Sequence, residues 1–299
     1  MLSKTKTIDR RLFDRDRLTR EDVRAFVKRY RHNPNLFCSE VLEGVENDVN
    51  QINVCNAINE NSRVSVASAM GTGKTFLAAA LALWFFSTRS DAKVVVTANT
   101  GDQLRNTLFP YIRRLATQSK IHSWLDAKAT AVYLRGETER GGIQQLIWDE
   151  SNPDASRGAH AEHLLIIVDE ASGVADIILD NLDSTLTQTE NKILLLSNPS
   201  RNSGYFFNSF SDPRYTNIRL TYENSRWTNK EHAEQLIEKH GRDSDIVRVN
   251  LFGEFPLHSS YTILSTAEIN DFLSEPEDSE GQAVIGVDIG GGGDKTGWA

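Results

Sequence analysis

The stretch VASAMGTGKT, Val66 to Thr75, concentrates residues suited to one kind of chemistry. Gly71 and Gly73, with Thr72 between them, let backbone N–H groups approach an anion closely. Lys74 brings a cation for the outer phosphates of a nucleotide, and Thr75 a hydroxyl for its Mg2+. Ser68 stands where such loops usually have their first glycine; a small residue there still permits a sharp turn, and its hydroxyl can donate. Further on, LLIIVDEAS ends an apolar run in Asp169 and Glu170. The first acid suits Mg2+, and the second suits a general base that polarises an attacking water. An acid pair of this kind favours hydrolases over kinases, which must keep water out. A third apolar run, KILLLSNPS, ends in Ser197 and Asn198, where a polar side chain can sense a γ-phosphate or make a strand-end turn before proline.

Weaker candidates surround these. Gln51 lies upstream of the loop at a distance suited to reading adenine, and Arg157, in NPDASRGAHA, is either a surface arginine or one that reaches a γ-phosphate. His160 and His163, around Glu162, have no cysteine near enough to complete a metal site and read as solvated histidines. Near the end, GVDIGGGGDKT puts Asp288 inside a strand ahead of a glycine-rich turn, with Asp294 beyond it. A carboxylate there suits either the first ligand of a two-metal nuclease or, with its glycines, a phosphate turn of an actin-like fold.

The elements that must position these groups alternate. RVSVAS, KVVVTA, a shorter IQQLIW, EHLLIIVDE and NKILLLSN read as strands; GKTFLAAALALWFF and GDQLRNTLFPYIRRL, interrupted by Pro110, read as helices. Near-continuous apolar strands ending in polar residues indicate a mostly parallel sheet covered on both faces, with ligands at the strands' carboxyl ends. Residues 1–45 read as a polar helical segment containing EDVRAFVKRY, broken by Pro34. After RYTNIRLTY a helix, NKEHAEQLIEKHG, ends at Gly241, and the Ser-, Glu- and Asp-rich stretch 257–282 reads as a linker.

The 299 residues, 39% hydrophobic and 25% charged, allow one large or two modest globular domains. The net charge of -8 argues against a protein that coats nucleic acid non-specifically, although the first thirty or so residues are basic. Their interleaved acids favour a solvated helix face over a nucleic-acid patch. Cys38 and Cys55 share no metal spacing. The run FLAAALALWFF is about half of a membrane span, so no membrane partner is expected, and it reads as a buried helix.

Taken in order, VNQINVCNAI, VASAMGTGKTFLAAALALWFF, VVVTANTGDQL, NPDASRGAHAEHLLIIVDEASGV, ILLLSNPSRNSGYFF, VRVNLFGEFP and VIGVDIGGGGDKT resemble the large terminase subunit of tailed bacteriophages, over roughly residues 35–299. The resemblance implies an α/β ATPase of the additional-strand, catalytic-glutamate type spanning 46–256 (core to about 205, then a small linker subdomain). After the linker it implies only the first strand, 283–299, of a ribonuclease-H-like nuclease. It implies ATP and Mg2+ as ligands, with Gln51 on adenine, Ser68 as a family-typical substitution in the loop, Lys74 and Thr75 on phosphate and Mg2+, Asp169 on the metal, Glu170 on the water, Asn198 as a coupler, and Arg157 acting on a neighbouring subunit's ATP. Asp288 would ligate a nuclease Mg2+ or Mn2+; further acidic ligands are missing, so a truncated product with a complete motor and no working nuclease is expected. Implied partners are double-stranded DNA, a portal protein, a small terminase subunit and other copies in a ring, in the host cytoplasm. One departure from the family stands out: the usual aromatic before the adenine-reading glutamine is Asn50. The alternatives are a helicase-like ATPase that remodels DNA or RNA, and a regulatory module that binds ATP without turnover.

Overall fold

The computed structural model describes residues 18–137, 141–148, 160–257, 287–288 and 297–298. Three helices open it: α1 (Arg20–Tyr30), α2 (Pro34–Val41) and α3 (Val49–Glu60). They lead into β1 (Arg63–Ser68), α4 (Lys74–Ser87) and β2 (Lys93–Ala98). Next come α5 (Gly101–Gln103), a π-helical turn (Leu104–Leu108) and α6 (Phe109–Gln118), then β3 (Leu125–Ala127), β4 (Ala131–Leu134) and β5 (Gly142–Gln145). The second half runs β6 (Leu164–Asp169), α7 (Asp176–Ser184), β7 (Lys192–Ser197), α8 (Tyr205–Asn208), β8 (Thr216–Leu220), α9 (Lys230–His240), α10 (Asp245–Val247) and a second π turn (Arg248–Phe252).

Eight strands form one sheet in the order β3-β4-β5-β2-β6-β7-β1-β8. From β5 to β8 every pairing is parallel; β3 and β4 add an antiparallel edge. The expectation of a mostly parallel sheet holds, and the short edge strands are an addition. Along the central strands alternate side chains enter opposite cores. Leu165, Ile167, Leu194 and Leu196 pack with α3 and α4; Leu164, Ile166, Ile193 and Leu195 pack with α7 and Phe206. Burial on both faces is why these strands are continuously apolar, each such side chain contributing about 1.5–3 kcal/mol.

Leu77 to Phe86 of α4 are all buried, as a helix of that composition must be. Phe26, Tyr30, Phe37, Cys38 and Val41, from the polar N-terminal region, belong to the same core, and the Trp84 indole N–H donates to Tyr30 O at 2.8 Å. Pro34 ends one helix and begins the next, at the first turn where its missing N–H costs nothing. Pro110 does not interrupt its helix as expected. It sits in the first turn of α6 behind the π turn, whose wider spacing (Phe109 N–H to Leu104 O) absorbs the break. His163 is another correction: it is buried, its Nδ1 3.0 Å from Ser90 O, and only His160 is exposed.

Residues 260–299 form a separate unit, in which β9 (Val287–Asp288) pairs antiparallel with β10 (Gly297–Trp298). Among the described residues no helix is long and apolar enough to cross a membrane.

Gly253, in the motif GEFP, has φ +60°, and a Cβ there would lie 2.8 Å from Ala67 O and 3.1 Å from Leu220 O. Both contacts are backbone and cannot swing aside. Gly253→Ala is therefore expected to cost about 2–4 kcal/mol, read as a lowered urea midpoint.

Candidate functional site

The carboxyl ends of three adjacent strands create the site. β7 lies between β1, which feeds the glycine loop, and β6, which ends in the acid pair. Asp169 aligns with Leu196, and Leu196 with Val66, so the three strand tips finish level. One strand inserted between the loop strand and the acidic strand is the arrangement that defines the additional-strand class.

At the loop, Gly71 and Gly73 adopt φ +70° and +80°, and α4 begins directly after Gly73. Helix N-terminal amides and their partial positive charge thus face the loop's concavity. At Gly73 the positive φ would strain any side chain, and a Cβ would lie 2.8 Å from Gln51 Nε2, pushing that amide aside. The Ser68 hydroxyl is spent internally: it bonds Ala69 O at 2.8 Å and lies 2.6 Å from Thr72 Oγ1. Ser68 and Thr72 are both buried and brace the loop from inside.

Lys74 Nζ lies 2.9 Å from Glu170 Oε1 and donates to Asn198 Oδ1 at 2.9 Å. The Asn198 amide in turn donates to Ser68 O at 2.7 Å, tying the tip of β7 to the root of the loop. The Thr75 hydroxyl donates to Asp169 Oδ2 at 3.0 Å. Glu170 has φ +53°, rare for a residue with a side chain, and accepts from the Ser197 hydroxyl at 3.2 Å. Ser197 accepts from the Ser172 amide, and the Ser172 hydroxyl donates to Asn198 O at 3.1 Å. Ser172 was invisible to the motif reading; its only signal is its place two residues past the acid pair.

Asp169 is 1% exposed, and this burial pushes its carboxyl up to about 6, against the pull of Lys74. Among the described residues no group of three or more His, Cys, Asp or Glu could cage a metal. A hydroxyl and one carboxylate converging at 3.0 Å do suit Mg2+, which takes few protein oxygens and completes its shell with phosphate and water.

Gln51 caps a helix. It and Asp48 form a reciprocal capping box on α3: Gln51 N–H donates to Asp48 Oδ1 and Asp48 N–H to Gln51 Oε1, both at 3.1 Å. The spacing Asp48-x-x-Gln51 carried that signal in the sequence. Asn50 is buried and donates to Thr221 O at 2.9 Å. Beside the loop lies a cavity of about 380 Å³ whose lining includes Gln51, Gly73, Phe76, Tyr111, Arg114 and Trp227. Arg157 lies outside the described residues, and Asp288 is placed only as a residue of β9.

This sheet order and these groups define a P-loop α/β domain of the additional-strand kind. The type III restriction enzyme, res subunit, family matches residues 39–176, from α2 past the acid pair. A probable terminase large subunit of Enterobacteria phage P7 is 33% identical over 225 residues, covering 70% of this chain and 46% of that protein. The large terminase ATPase domain of Thermus phage P74-26 superposes with a TM-score of 0.57 at 15% identity, over 72% of this chain and 96% of that one. A large terminase of a thermophilic bacteriophage, solved in complex with ADP, gives 0.54 at 14% identity, over 70% of this chain and 54% of that one. The chain belongs with the phage large terminase subunits, and it spans about half the length of the phage P7 relative.

A carboxyl raised to about 6 holds its proton more tightly folded than unfolded. Its penalty is therefore absent below the unfolded value near 4 and complete above 6. Asp169→Asn should stabilise the nucleotide-free protein by about 3 kcal/mol at pH 7.5 and by almost nothing at pH 4. Thermal melts across that range measure it; a stabilisation that grows toward low pH would contradict the assignment.

Proposed function

We propose that this chain is the ATP-hydrolysing motor region of a phage terminase large subunit, driving double-stranded DNA into a viral shell. The observation that supports it most is Lys74 poised between Glu170 and Asn198, with Thr75 beside Asp169. ATP would seat its triphosphate against the Gly71–Thr75 amides and the start of α4. Its outer phosphates compete with Glu170 for the Lys74 ammonium. Release from that ion pair would leave Glu170 free to orient a water and take its proton as the oxygen attacks the γ-phosphorus, while the bond from that phosphorus to the β–γ bridging oxygen breaks and ADP leaves with the oxygen. Thr75 and Asp169 would hold Mg2+, which neutralises charge on the outer phosphates when bound. Asn198, bonded to both Lys74 and Ser68 O, would pass the departure of the γ-phosphate to the loop. Gln51 would hold the base, and Arg157 would act on the ATP of a neighbouring copy in a ring.

In this reading 46–256 is the ATPase region, 1–45 a helical extension, and 257–282 a linker to nuclease residues beginning at 283–299, with Asp288 a metal ligand. The partners would be DNA gripped through its phosphates, a portal protein and a small terminase subunit, in the host cytoplasm. The match to a restriction enzyme res subunit supports a second reading, a helicase-like ATPase. A strand-separation assay divides them, since a packaging motor leaves the duplex intact.

Glu170→Gln should lower the ATPase rate by about a hundredfold or more while ATP binding survives. Rapid turnover in this variant would remove Glu170 from its role. Mixing Glu170→Gln with Arg157→Ala chains should restore part of the rate in the assembled protein, because each supplies what the other lacks. Intact assembly without rescue would place Arg157 outside the neighbouring site.

A further inference from the structure

Among the described residues, three aromatic ones line the cavity beside the loop: Phe76 and Tyr111, whose rings pack edge-to-face on each other at 6.2 Å against the core, and Trp227; residue 50, next to Gln51, offers no ring to it. Asn50 is buried with its amide committed to Thr221 O. We infer that Trp227, on the loop between β8 and α9, is the base-stacking residue of this chain; the inference rests on the ATP-binding reading above.

Trp227 lines the cavity with Gln51, Gly71 and Gly73. Its Cδ1 and Nε1 lie 3.7 and 3.8 Å from where a Cβ on Gly73 would stand, so the indole borders the phosphate loop itself. The residue is nonetheless 57% exposed, a large apolar side chain left in water on a loop pinned by its neighbours. Arg226 fixes one side: its N–H donates to Asp48 Oδ2 at 3.2 Å, and its guanidinium reaches Glu46 while lying 5.0 Å from the indole centroid. Lys230 fixes the other, donating to the carbonyls of Tyr222, Glu223 and Ser225. Next door, the Thr228 hydroxyl is buried with no hydrogen-bond partner among the described residues, 4.0 Å from the Cβ position of Gly71. An exposed indole on a loop pinned at both sides, at the rim of a cavity that Gln51 also lines, is a stacking platform held near the ligand's place.

Calorimetry with ADP and with inorganic tripolyphosphate, which has no base, tests this. Trp227→Ala should weaken ADP about ten- to a hundredfold, with Trp227→Phe recovering most of the loss. Tripolyphosphate should bind all three proteins equally, which also shows that the variants are folded. Indole emission should be quenched by ADP in the unmodified chain and not in Trp227→Phe. An unchanged ADP affinity in Trp227→Ala overturns the inference, and so does a matching loss for tripolyphosphate, since the indole would then support the loop and not the base. If the unmodified chain bound neither ligand, the ATP-binding reading itself would fall.

Discussion

An ammonium shared by a carboxylate and an amide organises the site. Lys74 stands between Glu170 and Asn198, and both it and Glu170 are largely shielded from water. A cation in that position would be costly without its partners, so the strand tips that carry them must stay where they are. Each group belongs to a different element: the lysine to the start of α4, the glutamate to the end of β6, and the asparagine to the end of β7. Their meeting depends on the sheet order, which places the tip of β7 between the other two.

The sheet order is in turn fixed by packing. Strands buried on both faces cannot slip by one residue, because a slip would exchange the two cores they separate. The level ending of Val66, Leu196 and Asp169 follows from this constraint as much as from any interaction at the site. The strained backbone at Glu170 is tolerated for the same reason, with Ser197 holding its carboxylate from the neighbouring strand.

The central strands and the loop-to-helix junction were legible in the sequence because their signals are local. Continuous apolar runs mark doubly covered strands, and glycines next to a lysine mark an anion loop. What could not be read depended on contacts between distant segments. The sequence leaves Asn198 open between a strand-end turn residue and a functional one, and nothing local announces that its amide bridges Lys74 and Ser68 O. His163 read as solvated because its partner Ser90 lies far away in the chain. The edge strands β3 and β4 are too short to show a period. Trp227 sits in a polar loop, and only the fold brings it to the rim of the cavity. The Gln51 capping box is different, since the spacing Asp48-x-x-Gln51 is itself a local signal for a helix start.

The phosphate loop is also held from outside its own motif. The amide of Ala69 donates to Leu220 O at 2.8 Å and that of Met70 to Asn250 O at 2.9 Å. These two amides are committed to the protein, which leaves the backbone from Gly71 onward to meet a ligand. Leu220 ends the outermost parallel strand and Asn250 lies in the second π turn, where Gly253 brings the chain against Ala67 O and Leu220 O. The segment from β8 to Gly253 therefore forms a strap around the root of the loop and carries Trp227 within it. A displacement of the loop by its ligand must either break those two hydrogen bonds or move the strap with it. Buried backbone groups rarely go unpaired, so moving the strap is the less costly course. Events at the loop would then reach the strap through these main-chain contacts.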